Sequence, residues 1–133
     1  MSVEPAKTEF NIPLSSKDWK CLLTNIYYEA RGEPILGQIA VARVTLNRVG
    51  LFAPSVCEVV FQKNQFSWTN QISLRKHAFA GILPPITPEI MLAAYSAFFY
   101  DSPALYFHSI RINPGWSKHF NYLETINNHV FYS

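Results

Sequence analysis

Apolar residues recur at Trp19, Leu22, Leu23, Ile26, Tyr27 and Ala30, the spacing of one helix face. Ser15 or Ser16 can cap the start of this helix, and Asp18 suits its positive dipole end. Gly32 supplies the stop. Pro34 then opens a second helix through "ILGQIAVARVTLNRVG", which runs to Gly50. Its small residues Gly37, Ala40 and Ala42 let another helix approach closely. "SVCE" has the Ser-x-x-Glu form of a capping box and predicts a short helix from Ser55. "QFSWT" reads as a turn or short strand at a groove. "TPE" at 87–89 puts a cap at Thr87 and proline at the first position of a helix reaching about Tyr100. "ALYFHSI" and "HVFY" read as short strands. The pattern describes an extended arm over residues 1–14 and one mainly helical domain over 15–133.

Composition narrows the function classes. A length of 133 residues suits one domain, and 49% apolar content supports a core. A net charge of +2 is too small to argue for nucleic acid. No apolar run approaches the ~18 residues of a membrane span, so no membrane insertion is expected. "MSVEPAKTEFNIPLSSKDW" carries acids and prolines and no long apolar run, so no secretory signal is expected. Cys21 and Cys57 lack metal-ligand spacing, which excludes a zinc ribbon. Their apolar neighbours favour two buried thiols, with a single disulfide left open.

The chain has nine Asp and Glu in all, and two of them fall in "IYYEARGEP". On a helix, Glu29 lies roughly 20° from Leu22 and beside Ile26. It therefore sits on or next to the apolar stripe, at the negative end of the helix dipole. Burial and dipole both raise its pKa. A carboxylic acid that keeps its proton near neutral pH can protonate a glycosidic oxygen. The plainer alternative is a pair with Arg31, Arg43 or Arg48. Glu33, beyond Gly32, reads as structural.

The run "YYEARGEPILGQIAVARVTLNRV", followed by "PSVCEVVFQKNQFSW", resembles the SleB-type cell wall hydrolases, which include the spore cortex-lytic enzymes. "ALYFHSI" and "INNHVFY" resemble that family's C-terminal strand pair and terminal His-x-Phe. The likeness covers residues 19–132. It implies an α+β, mainly helical, lysozyme-like domain with a small antiparallel sheet beside the cleft. It implies cleavage of peptidoglycan between N-acetylmuramic acid and N-acetylglucosamine, and makes Glu29 the catalytic acid. Where family members show Tyr-Asn-Pro after the "ALY" strand, Phe107 and His108 follow Tyr106 here. The loop from Ser109 to Tyr122 departs from the spore sequences. A compact chain without a visible leader resembles a bacteriophage endolysin, held in the host cytoplasm until a holin opens the membrane.

A two-carboxylate glycosidase needs a second acid about 5–9 Å from the first. Glu33, Glu58, Glu89, Asp101 and Glu124 remain once the arm and the helix-start Asp18 are set aside, and none stands in a nucleophile-like motif. Glu58 and Glu89 read as helix-start charges and Asp101 as a cap or turn residue. A lytic transglycosylase needs no second carboxylate, because the muramoyl 6-hydroxyl attacks. A hydrolytic muramidase, a zinc-independent wall amidase and a non-catalytic peptidoglycan-binding domain are the alternatives. Sugars present apolar faces to aromatic rings, so Gln65, Ser67, Trp68, Tyr106, His108 and Trp116 are the substrate-binding candidates. His108, His119 and His129 lack the tight His-x-x-x-His pair of a zinc amidase. No metal or cofactor is expected, and a monomer is.

Overall fold

The computed structural model describes residues 12–133. The expected arm, residues 1–14, lies outside them except for its last three positions, of which Leu14 packs on the core. Helix α1 spans Ser16–Ala30, α2 Ile35–Arg48, α3 Val56–Val60, α4 Ile72–Phe79 and α5 Pro88–Ala97. Strands β1 (Tyr106–Ser109), β2 (Tyr122–Ile126) and β3 (His129–Tyr132) follow, and single 3-10 turns occupy Ser67–Asn70 and Gly115–His119. No helix among the described residues is long and apolar enough to cross a membrane.

The helix starts follow the expected hydroxyl caps. Ser15 Oγ accepts from the Asp18 N–H at 3.1 Å, Ser55 Oγ from Glu58 at 3.2 Å, and Thr87 Oγ1 from Ile90 at 3.1 Å. Pro88 occupies the first turn of α5. "QFSWT" enters a 3-10 turn rather than a strand. α4 and β2 were not legible in the sequence. α4 fully buries no residue and sets only the half-buried Leu74 and Ala78 against the core, too short a stripe to read. β2 slips register between Tyr122 and Glu124, which breaks its alternation.

α1 packs against α2, α3 and α5. Its Leu22, Leu23 and Ile26 join Val56, Val60, Phe66, Trp68, Ile90 and Ala94 in the main core. A second cluster of Ala30, Ala40, Val41, Val44, Ala104 and Phe131 fastens α2 to the sheet. The sheet order is β1-β3-β2, with β3 antiparallel to both neighbours. Gly37 is where α2 meets the β2–β3 hairpin. A Cβ there would stand 3.2 Å from Glu33 Cβ and 3.6 Å from Ile126 Cγ2.

Cys21 and Cys57 form a disulfide, with Cα atoms 5.3 Å apart, so the favoured reading of two thiols is replaced by the bridge. It ties α1 to α3 across 36 positions, and Cys57 Cα sits there because Asp18 accepts the Cys57 N–H at 3.1 Å. Closing a loop of that length restricts the unfolded chain, a stabilisation of roughly 4 kcal/mol. The paired Cys21→Ala, Cys57→Ala variant is expected to lose about that much stability in urea titration. Neither cysteine lines the groove described below, so the same variant should keep the native fold, with an unchanged near-ultraviolet circular dichroism spectrum in the absence of urea. A lost near-ultraviolet spectrum without denaturant would contradict this placement.

Candidate active site

The last turns of α1 and α2 open onto a groove of about 840 Å³. Glu29 and Arg48 come from the helices, Asn64, Gln65, Ser67 and Asn70 from the loop after α3, and Tyr106 and His108 from β1. Trp116 and Phe120 close one side, and His129 reaches in from β3.

Glu29 lies half-buried in this groove. Burial raises its pKa from the usual carboxylate range to about 7, and Arg48 partly opposes the rise. Among the described residues its carboxyl makes no hydrogen bond and no ion pair. Two of the three arginines that offered a plain pairing are engaged elsewhere. Arg31 lies 4.7 Å over the Tyr27 ring, while Arg43 bonds Asn47 and the Ala97 carbonyl. Arg48 acts on Glu29 through space.

Five of the six expected substrate-binding residues, Gln65, Ser67, Tyr106, His108 and Trp116, line the groove with Glu29. Trp68 does not. It is 4% exposed in the main core, and its indole N–H donates to Asn25 Oδ1 at 2.8 Å. The loop alternates: Phe66 and Trp68 turn inward, and Gln65 and Ser67 turn outward. Tyr106 stacks on Phe120 at 4.0 Å between centroids, and Trp116 stands edge-on to Phe120 at 5.9 Å. The result is an aromatic wall facing the acid.

His108 is held at both ring nitrogens. Its Nδ1 faces the Ser109 carbonyl at 2.7 Å, an acceptor only, so Nδ1 carries a proton. In the neutral ring Nε2 then accepts from the Tyr132 hydroxyl at 2.9 Å. His129 stands with Nδ1 3.8 Å from Glu33, too far for a hydrogen bond. Burial lowers the His129 pKa, Glu33 opposes that, and His108 adds to it. Among the described residues no three His, Cys, Asp or Glu side chains converge as metal ligands.

The other carboxylates are committed elsewhere. Glu33 accepts from the Asn128 N–H at 3.0 Å and from the side-chain amides of Asn128 and Asn127. Burial opposes its charge, yet these donors and His129 together hold its pKa below the usual range. Glu89 accepts from Gln38 at 2.8 Å and Glu124 from the Tyr100 hydroxyl at 3.1 Å. Glu58 and Asp101 are exposed away from the groove. Glu29 is the sole carboxylate among the described residues that line it.

Arg48, Phe120 and His129 were not among the sequence candidates for the groove. Arg48 had a signal: it follows Val41, Val44 and Thr45 at helical spacing, an arginine on a buried stripe. Phe120 had none and His129 only the terminal His-x-Phe likeness; both reach the groove through the sheet and the 3-10 turn.

The fold and groove have solved counterparts. The catalytic domain of the germination-specific lytic transglycosylase SleB from Bacillus anthracis superposes with a TM-score of 0.74 at 28% identity, over 93% of this chain and all of that one. The catalytic domain of the Bacillus cereus SleB protein does so with a TM-score of 0.73 over 95% of this chain and 97% of that one. A spore cortex-lytic enzyme of Oceanobacillus iheyensis is 33% identical over 128 residues, 91% of this chain and 44% of that protein. One from Bacillus subtilis is 44% identical over 61 residues, 43% of this chain and 20% of that protein. The chain thus spans less than half the length of these curated relatives. The phage setting expected from the sequence is not shown by these similarities. Residues 32–132 match the Cell Wall Hydrolase family, Hydrolase_2. With a solved SleB domain matched over its whole length, the mainly helical α+β fold and the sequence agree: this chain belongs to the cell wall hydrolase family.

Proposed function

We propose that this chain cleaves peptidoglycan glycan strands between N-acetylmuramic acid and N-acetylglucosamine as a lytic transglycosylase. The observation that carries the reading is Glu29: one carboxyl in an aromatic-walled groove, its pKa raised to about 7, with no second carboxylate beside it among the described residues. The name of the Bacillus anthracis relative, a lytic transglycosylase, supports it. The family match begins three residues after Glu29, so the acid's assignment rests on geometry and on the "EARGE" run.

Glu29 gives its proton to the glycosidic oxygen as the bond from that oxygen to the muramoyl C1 breaks. The leaving sugar departs with a free 4-hydroxyl, and positive charge develops at C1. The carboxylate then accepts the proton of the muramoyl 6-hydroxyl while that oxygen bonds C1. A 1,6-anhydro ring closes, Glu29 is protonated again, and no water is consumed. The rings of Tyr106, Trp116 and Phe120 offer flat surfaces for the sugar faces, and Gln65 and Ser67 offer polar contacts to the sugar edges.

Mass spectrometry of fragments released from purified wall tests the outcome. Ends one water lighter than reducing muramic acid are expected, with muramoyl–alanine bonds intact. Reducing ends would indicate a hydrolytic muramidase, cleaved amide bonds an amidase, and no release a binding domain. Each of these contradicts the proposal.

Glu29→Gln keeps size and polarity but cannot donate the proton. Wall-degrading turnover should fall by about 10² to 10⁴. Stability should move the other way. A carboxyl with a raised folded-state pKa binds more protons folded than unfolded, so wild-type stability falls as pH rises from 4.5 to about 7. The glutamine variant escapes this loss. Above pH 7 it should be the more stable by roughly 3 kcal/mol, and at pH 4 the two should converge. Near-normal turnover in a folded variant would remove Glu29 from the role of acid.

A further inference from the structure

Arg48 is 4% exposed at the end of α2. Its Nε donates to the Leu105 carbonyl at 2.8 Å, but Nη1 is buried without a hydrogen-bond partner among the described residues. The guanidinium lies 5.3 Å from the Phe52 and Phe66 rings and 5.8 Å from Tyr106. Ring faces attract a cation, yet they leave its N–H donors unfilled. Taking a guanidinium out of water is costly when donors stay unpaired. Tethering a strand by one carbonyl does not require that charge, since a neutral amide donates as well.

The chemistry above makes a charge at one place. Glu29 becomes a carboxylate once in each turnover, in a half-buried position. Arg48 lines the same groove. The other ionisable groups facing it are Tyr106 and His108 from β1 and His129 from β3. His108 has both ring nitrogens engaged, and burial favours the neutral form of His129. Arg48 is thus the permanent cation among the described residues that line the groove.

We infer that Arg48 is a positioning residue for the acid: a buried counter-cation, held against β1 by Leu105, that stabilises the Glu29 carboxylate formed in mid-reaction. Its charge makes Glu29 a strong enough acid to release its proton despite burial. The inverse dependence is visible in Arg48 itself, whose pKa burial lowers to about 10 while Tyr106 and Glu29 oppose the fall. This inference rests on the proposed role of Glu29.

The test is the pH profile of kcat/KM on solubilised glycan strands for wild type, Arg48→Gln and Arg48→Lys. The wild-type rate should fall above about pH 7, where free Glu29 loses its proton. In R48Q this alkaline limb should move up by about one pH unit, and kcat should drop about tenfold for the weaker acid with KM unchanged. R48K keeps the charge, and its limb should stay within about 0.3 pH unit of wild type. An R48Q protein that is slower at every pH with an unmoved limb would overturn the inference and leave Arg48 structural. Should R48Q not fold, R48K decides. It lacks the Nε tether, so its Tm falls, but a limb displaced upward despite the retained charge would be equally fatal. An active Glu29→Gln protein fails the acid assignment, whereas an unmoved limb beside an inactive Glu29→Gln fails this inference alone.

Discussion

Two neighbouring side chains at the end of α2 hold the groove together by gripping backbone carbonyls. Asn47 donates to the carbonyls of Ser102 and Ala104, both at 2.8 Å, and Arg48 donates to that of Leu105. Residues 102–105 belong to no helix or strand and lead directly into β1, so their carbonyls have no helix or ladder to satisfy all of them. The clamp meets that demand and fixes where the sheet stands relative to the helices. Together with the apolar cluster that fastens α2 to the sheet, it sets the distance of Tyr106 and His108 from Glu29.

The opposite wall depends on a buried polar centre. Asn25, fully enclosed on α1, donates to Thr45 on α2 at 3.3 Å and accepts from the Trp68 indole at 2.8 Å. Three segments meet at one amide, whose two ends are used in opposite senses. This pins the turn that carries Ser67 against the helix that carries Glu29. Trp68 therefore serves the site by anchoring its loop from behind. Glu33 does similar work on the far side, where its carboxylate gathers the Asn127–Asn128 turn of the β2–β3 hairpin and sets β3 in place. Asn127 adopts a left-handed φ of 50°, which asparagine tolerates better than most residues.

The electrostatics of the groove follow from this division of labour. The carboxylates that could have paired with Glu29 in a two-acid mechanism are used as structural acceptors or helix-start charges. Glu29 is left with burial, which resists its charge, and a guanidinium, which permits it. That balance suits the role proposed for Glu29, in which it both gives and takes a proton near neutral pH. The disulfide adds rigidity behind the same helix, joining α1 to α3 away from the groove.

The helices with caps and apolar stripes were legible in the chain because those signals are local. Ser15, Ser55 and Thr87 bond backbone N–H groups three residues ahead, and the stripe of α1 repeats within its own fifteen residues. The same stripe placed Glu29 at the end of an apolar helix, and "EARGE" tied it to a family. Both boundaries of α2 and α5 came within three residues, since fraying at helix ends obeys no sharp local rule. α4 and β2 escaped because one sets only Leu74 and Ala78 against the core and the other carries a bulge. What only the tertiary structure decided were the partnerships across long separations. Trp68 went to the core because Asn25, 43 positions away, offered its indole an acceptor. Arg48 went beside the acid because Leu105 offered a carbonyl 57 positions on. Cys21 found Cys57 because α3 docks on Asp18. Periodicity says which side of a helix is apolar, but the atoms that fill a buried donor's remaining valence are chosen by packing, and that choice left Glu29 as the sole carboxylate among the described residues that line the groove.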